Sequence, residues 1–253
     1  MKPKQIHPLR YIAAWAVHLF TASAACLGIF TLAMIYQHNY IMALWFMAIT
    51  VFIDAVDGSL ARLVDVKTLI PKVDGALLDN IVDYLNYVVT PCFFLLVKPD
   101  MLPSEYTIIL ISVISITSAY QFCQADAKTP DHFFKGFPCY WNITVFYMFI
   151  FNTSALFNAI LLSFFSILIF VPVKYVYPSR LDYLTDSKIL KNLMHCCSAL
   201  YGISSLGILI YYPEPSTLFL TISLGYSLIY LLISFYRTYY PLIKAKINAH
   251  KEL

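Results

Sequence analysis

The chain has 253 residues, 60% of them hydrophobic and 12% charged, with a formal net charge of +3. Globular proteins carry about 25% charged residues, and a water-soluble domain of this length could not enclose so much apolar surface, so the composition excludes a soluble protein and points to a multi-span membrane protein. The apolar runs are continuous rather than alternating at every second residue, which argues against a β-barrel.

In chain order, the N-terminal MKPKQIHPLRYIAAWAVHLF places basic residues before an apolar run. That run continues to about Tyr36, longer than the apolar region of a signal peptide, and another follows at once. It reads as a retained first helix with a short interfacial segment at about 4–14. Turn and polar residues then cut the sequence into eight candidate spans: Tyr11–Tyr36, Ile41–Arg62, Gly75–Val97, Glu105–Gln124, Trp141–Phe151, Ala155–Val171, Leu193–Tyr211 and Thr217–Tyr236. The fifth and sixth are together too long for one helix, and Asn152-Thr153-Ser154 is the natural break between them. The expected fold is all-α: a polytopic membrane helical bundle of about eight transmembrane helices, forming one domain over 1–253. The six cysteines, Cys26, Cys92, Cys123, Cys139, Cys196 and Cys197, show no CxxC or metal spacing and read as small hydrophobes.

Eight spans put both termini on one side. With the termini in the cytoplasm, every Lys and Arg except Lys98 falls on the inner side. The positive-inside rule supports that orientation and that even number of spans. The longest polar connections, near 63–74, 125–140 and 172–191, are then cytoplasmic, and the functional face is expected there.

One of these connections lies within the stretch DAVDGSLARLVDVKTLIPKVDGALLDNIVD at 54–83. Asp54 and Asp57 are three residues apart and Asp79 and Asp83 four apart, so each pair shares a helix face. Carboxylates facing lipid are costly, and carboxylates facing one another repel. A hard divalent cation such as Mg²⁺ or Mn²⁺ resolves the repulsion, because it prefers oxygen ligands; four facing carboxylates could hold two. Gly58 and Ala61 leave room for a ligand to approach, Gly75 opens the next helix, and Arg62 supplies a fixed cation suited to phosphate. The set predicts a phosphate-bearing ligand and metal-assisted phosphoryl transfer. Asp65 and Asp74, between the pairs, read as solvated loop residues beside Lys67 and Lys72. His18 lies in the first apolar span, where a hydrogen bond to a neighbouring helix is the expected role.

The pattern D-x2-D-G-x2-A-R followed by G-x3-D-x3-D resembles the signature of the CDP-alcohol phosphotransferases. Asp54, Asp57, Gly58, Ala61, Arg62, Gly75, Asp79 and Asp83 carry it. The spacer Leu63–Asp74 has twelve residues where most members have eight. That length, the run VDYLNYVVTPCFF, the segment GFPCYWN at 136–142 and the eight-span layout resemble the bacterial phosphatidylcholine synthase branch of the family. The resemblance implies a reaction of CDP-diacylglycerol with choline to give phosphatidylcholine and CMP. It also implies Asp54, Asp57 and Asp79 as main ligands of two Mn²⁺ or Mg²⁺ ions. Asp83 would share the second ion and act as general base. Gly58, Ala61, Arg62 and Gly75 would line the nucleotide and diphosphate site. The implied setting is the bacterial inner membrane, with the site and both termini cytoplasmic; a homodimer is expected, and nucleic acid is not.

Choline is a quaternary ammonium without N–H donors, so aromatic faces are its expected partners. Tyr84, Tyr87 and Trp141 are the candidates by position, although Trp and Tyr at a helix end also serve as interfacial anchors. Gln121, Gln124 and Asp126 end the fourth span at the inner face, and Arg180 and Lys174 could steer an anionic lipid nucleotide. Other acceptors (serine, inositol, glycerol phosphate) remain open within the family. A cation-coupled transporter would place its acids nearer the bilayer midplane, with paired halves.

Overall fold

The computed structural model describes residues 8–129, 133–176 and 187–251, with side chains through 240. Lys2, Lys4, His132 and Arg180 lie outside the described residues. The first helix, α1, runs over Pro8–Tyr36, so residues 8–14 of the expected interfacial segment are continuous with it. Its start suits proline, which lacks only an N–H that the first turn leaves unused. The second helix, α2 (Tyr40–Val64), is capped by Asn39, whose side chain accepts from the Met42 N–H. A single turn of helix, α3 (Val66–Leu69), follows, and then α4 (Gly75–Tyr84), a π-helical turn at Leu85–Val89, and α5 (Thr90–Val97). The remaining helices are α6 (Thr107–Cys123), α7 (Trp141–Ile150), α8 (Ala155–Leu168), α9 (Lys188–Ile210) and α10 (Thr217–Lys251).

Five of the expected spans are helices long and apolar enough to cross a membrane; Thr107–Cys123, Trp141–Ile150 and Ala155–Leu168 are shorter apolar helices. At 1.5 Å per residue, α7 and α8 reach about 15 and 21 Å, below the roughly 30 Å of a hydrocarbon core. The fold is thus a polytopic helical membrane protein, and the eight expected spans correspond to five long apolar helices and three shorter ones among the described residues. Many large apolar side chains point outward, among them Leu19, Ile116, Ile160 and Ile203. In water that surface would be an aggregation hazard; in lipid it is the solvent-matched face.

The described residues divide into two compact units, one comprising residues up to Ser115 together with Tyr140–Asn158, the other Ile116–Cys139 together with the residues from Ala159. In the first, α1 packs along α2 and also touches α3, α4, the π turn and α5. Small and polar residues of α1 (Ala14, Thr21, Ala24, Gly28) are buried and let these helices approach.

The second unit holds the only strands among the described residues, β1 (Phe133–Lys135) and β2 (Lys174–Val176), paired antiparallel. Hydroxyls of α10 satisfy the backbone of β2: Thr238 accepts from the Lys174 N–H at 2.8 Å and Ser234 from the Val176 N–H at 3.2 Å, and Tyr230 donates to the Val176 carbonyl. Gln121, Gln124 and Asp126, at the inner end of the expected fourth span, are engaged in this unit. Gln121 donates to the Lys135 carbonyl at 2.8 Å, and Lys135 and Gln124 both donate to Asp126. These two donors, Lys135 foremost, hold the Asp126 carboxyl below its ordinary range.

Gly136 follows β1 with φ of 79°. A Cβ there would come 2.2 Å from the Ile169 carbonyl oxygen. Gly136→Ala combines left-handed backbone strain with a clash against main chain that cannot step aside. It is expected to destabilise the protein by about 1–3 kcal/mol or more, read as a lower thermal unfolding midpoint in detergent. An unchanged midpoint would show that the turn relaxes without penalty.

Candidate active site

The site is built on the facing ends of α2 and α4. Asp57, 6% exposed, and Asp54, half-buried, project from one face of α2. The αL residue Asp65 (φ 61°) ends the helix, its N–H returning to the carbonyls of Ala61 and Arg62. The twelve-residue spacer is folded. Val66, Leu69 and Ile70 are buried against Ala14 and Val17 of α1. Asp65 accepts from the Thr68 hydroxyl at 2.9 Å, and Asp74 is the N-cap of α4, accepting from the N–H groups of Ala76 at 3.0 Å and Leu77 at 3.1 Å. The two loop acids are exposed, as expected, but they serve as helix punctuation rather than as solvated filler.

From that fixed start, α4 carries Asp79 and Asp83 to the same cleft as Asp54 and Asp57. One carboxylate oxygen each from Asp54, Asp57 and Asp79 lies within 4.8 Å of the others. Oxygens bound to one cation at about 2.0–2.6 Å sit no more than twice that distance apart. The cluster therefore needs little contraction to chelate a divalent ion, and its hard oxygen donors suit one.

Two hydroxyls orient these acids. Thr21 of α1 donates to Asp57 Oδ2 at 2.9 Å, and Tyr87 donates to Asp54 Oδ2 at 2.7 Å. Tyr87 reaches its acid from the π turn. Pro91, just beyond, has no N–H for the Tyr87 carbonyl, and the regular α ladder is disturbed there. Asn86 satisfies the widened turn: it is buried, and Nδ2 donates to the carbonyls of Ala24 at 3.0 Å and Val82 at 2.9 Å. A Cβ at Gly28 would come 2.7 Å from Leu85 Cδ2, so glycine lets α1 meet this turn closely.

The structure thus brings together Asp54, Asp57, Asp79, Asp83 and Tyr87, with Thr21 and Asn86, which sequence reasoning missed, in one cleft. Other predicted residues lie off its lining. Arg62 is exposed and donates from Nη2 to the Ser59 hydroxyl at 2.9 Å, while a Cβ on Gly58 would meet only Arg62 Nη1, at 3.4 Å. Ala61 packs on the cluster of Ala14 and Val17, and Gly75 lies against His18. The Tyr84 hydroxyl donates to the Ser115 carbonyl at 3.1 Å. Trp141 is 0% exposed. The ring of Tyr140 stands 6.2 Å from that of Tyr87. For His18, the expected interhelical hydrogen bond is not made by Nε2, which is buried without a partner.

A polytopic helical protein with a buried aspartate cluster shared between two helices is the class these features define. The model of the CDP-alcohol phosphatidyltransferase family matches residues 15–176, and the chain belongs to that family. It is 72% identical to a phosphatidylcholine synthase of Legionella pneumophila, over 96% of this chain and 95% of that one. It is also 72% identical to a phosphatidylcholine synthase of Legionella bozemanae, over 86% of this chain and all of that one. Similarity extends to a phosphatidylcholine synthase of Borreliella burgdorferi, at 38% identity over 78% of this chain and 84% of the relative.

If Thr21 and Tyr87 orient the acids, Thr21→Val and Tyr87→Phe should each weaken Mn²⁺ binding about tenfold or more, measured calorimetrically on detergent-purified protein. Unaltered Mn²⁺ affinity in both variants would show that the acids hold their positions without these hydroxyls.

Proposed function

We propose that this chain transfers the phosphatidyl group of CDP-diacylglycerol to choline, releasing phosphatidylcholine and CMP. The observation that carries the reading is 72% identity, nearly end to end, with a phosphatidylcholine synthase. The convergence of the motif acids on one cleft gives that chemistry a place.

In this reading the choline hydroxyl oxygen attacks the phosphorus that bears diacylglycerol. The bond from that phosphorus to the bridging oxygen of CMP breaks, and CMP leaves with the electron pair. Asp83 takes the hydroxyl proton; it lines the cleft, while the mutually close trio is Asp54, Asp57 and Asp79. Two Mn²⁺ or Mg²⁺ ions held by that trio, with Asp83 sharing the second, would polarise the diphosphate and offset charge on departing CMP. Thr21 and Tyr87 hold the carboxylates in place for this arrangement. Gly58, Ala61, Arg62 and Gly75 are assigned to the nucleotide and diphosphate. Among the three expected choline contacts, Tyr87 is the one that lines the cleft, with its ring beside Tyr140. A hydroxyl bound to Asp54 leaves the ring face to meet the ammonium.

The family resemblance and the bacterial relatives support a bacterial inner-membrane location, and the distribution of Lys and Arg supports placing the site and both termini on the cytoplasmic side. The family resemblance supports a homodimer, to be checked by the mass of the detergent-solubilised protein.

Membranes containing the protein, given CDP-diacylglycerol and each labelled alcohol in turn, test the assignment. Product is expected from choline, and chelation should abolish it. Product from serine, inositol or glycerol phosphate alone would reassign the acceptor. Asp83→Asn should reduce turnover by about 10²-fold or more; full turnover would remove Asp83 from the role of base.

A further inference from the structure

The apolar helix α1 carries a stripe of small and polar residues, His18, Thr21, Ala24 and Gly28, at every third or fourth position, all buried. Three of the four have an evident use. Thr21 holds Asp57, the Ala24 carbonyl accepts from Asn86, and Gly28 admits Leu85 and Asn86. His18 does not fit this account. It is 7% exposed, and its Nε2 is buried with no hydrogen-bond partner. Buried polar atoms are rarely left so, because an unmade hydrogen bond keeps its full desolvation penalty.

The packing around the ring is specific. Trp15 stands edge-on at 6.1 Å between centroids. On another side is Gly75, where a Cβ would come 3.2 Å from His18 Cε1 and 3.8 Å from Nδ1. A side chain at position 75 would press on the imidazole, so the motif glycine preserves its place. His18 also lies one turn before Thr21, the residue that holds a cleft acid. Nε2 is thus a buried, unpartnered nitrogen on a ring packed against Gly75, a residue assigned above to the nucleotide and diphosphate, and a substrate group seated there would supply its partner.

We propose that His18 binds the nucleotide end of CDP-diacylglycerol through Nε2. The inference rests on the phosphatidyl-transfer reading above. A neutral imidazole nitrogen donates or accepts according to its tautomer, and a cytidine diphosphate offers donors and acceptors for either. Choline offers only a hydroxyl, which the reaction consumes. His18 is therefore a binding residue for the donor substrate, and it takes no part in proton transfer to or from choline.

The test uses the full-length protein in detergent, with His18→Phe, which keeps a ring and removes the polar nitrogen, and His18→Gln, which restores a polar end. His18→Phe should raise KM for CDP-diacylglycerol about tenfold, as expected for one lost hydrogen bond to a charged or strongly polar group. KM for choline should stay unchanged, CMP binding measured calorimetrically should weaken by a similar factor, and His18→Gln should recover part of both losses. Unchanged CMP affinity and CDP-diacylglycerol KM in His18→Phe would overturn the proposal, as would a rise confined to KM for choline. Should His18→Phe fail to fold, His18→Leu, which also lacks the polar nitrogen, takes its place, and wild-type CMP affinity in that variant would overturn the proposal too. Failure of the wild-type protein to form phosphatidylcholine would instead count against the function itself, and CMP binding by the variants would still judge His18.

Discussion

Bringing carboxylates together inside an apolar helical protein is the constraint that organises this molecule. Each negative charge in a medium of low polarity is costly alone, and each is repelled by the next. Asp54, Asp57 and Asp79 converge nonetheless, to within 4.8 Å of one another. Such a cluster persists only if neighbours hold it and a cation completes it. The neighbours are visible: hydroxyls on two of the acids, a helix start pinned by Asp74, and a close seam between α1 and the π turn. The same repulsion that makes the cluster unfavourable without a cation gives it affinity for one.

Helix α1 bears no motif residue, yet it supports much of the site. Its buried face supplies Thr21 to Asp57, a carbonyl to Asn86, the gap at Gly28, and Ala14 and Val17 as the seat of α3. Small residues permit such close helix contact in lipid, where apolar burial gives little drive for association. The first helix thus acts as a template against which α2, α3, α4 and the π turn are set. It also accounts for polar residues in an otherwise apolar helix.

The acid pairs were legible in the sequence because helical periodicity converts spacing directly into a shared face. The long spans were legible for a similar reason, as uninterrupted apolar runs. Thr21, Asn86 and the orienting role of Tyr87 were not. A lone threonine or asparagine in an apolar helix usually satisfies its own backbone, and the acid that Thr21 meets is thirty-six residues away. The π turn did leave a signal: Pro91, in the middle of an apolar span, cannot continue a regular α ladder. The short lengths of α7 and α8 were legible as well, since Asn152-Thr153-Ser154 separates them and the expected bounds Trp141–Phe151 and Ala155–Val171 lie within three residues of the observed helices.

The twelve-residue spacer separates what sequence resemblance joins. Its length resembles that of one branch of the family, and its structure shows what the added residues touch. A helix turns about 100° per residue, so moving the start of α4 by one position would swing Asp79 and Asp83 away from Asp54 and Asp57. A long loose loop could not fix that phase. Here α3 docks on Ala14 and Val17, and Asp74 then caps α4 at Gly75. Val17 adjoins His18, and Gly75 lies against the His18 ring. The spacer therefore bears on the end of the site where Gly75 and His18 meet, one turn of helix before Asp79. Tyr87 and Asp83 are positioned instead by the body of α4 and by the π turn. The feature that resembles that branch thus acts mechanically on the motif glycine and its neighbours.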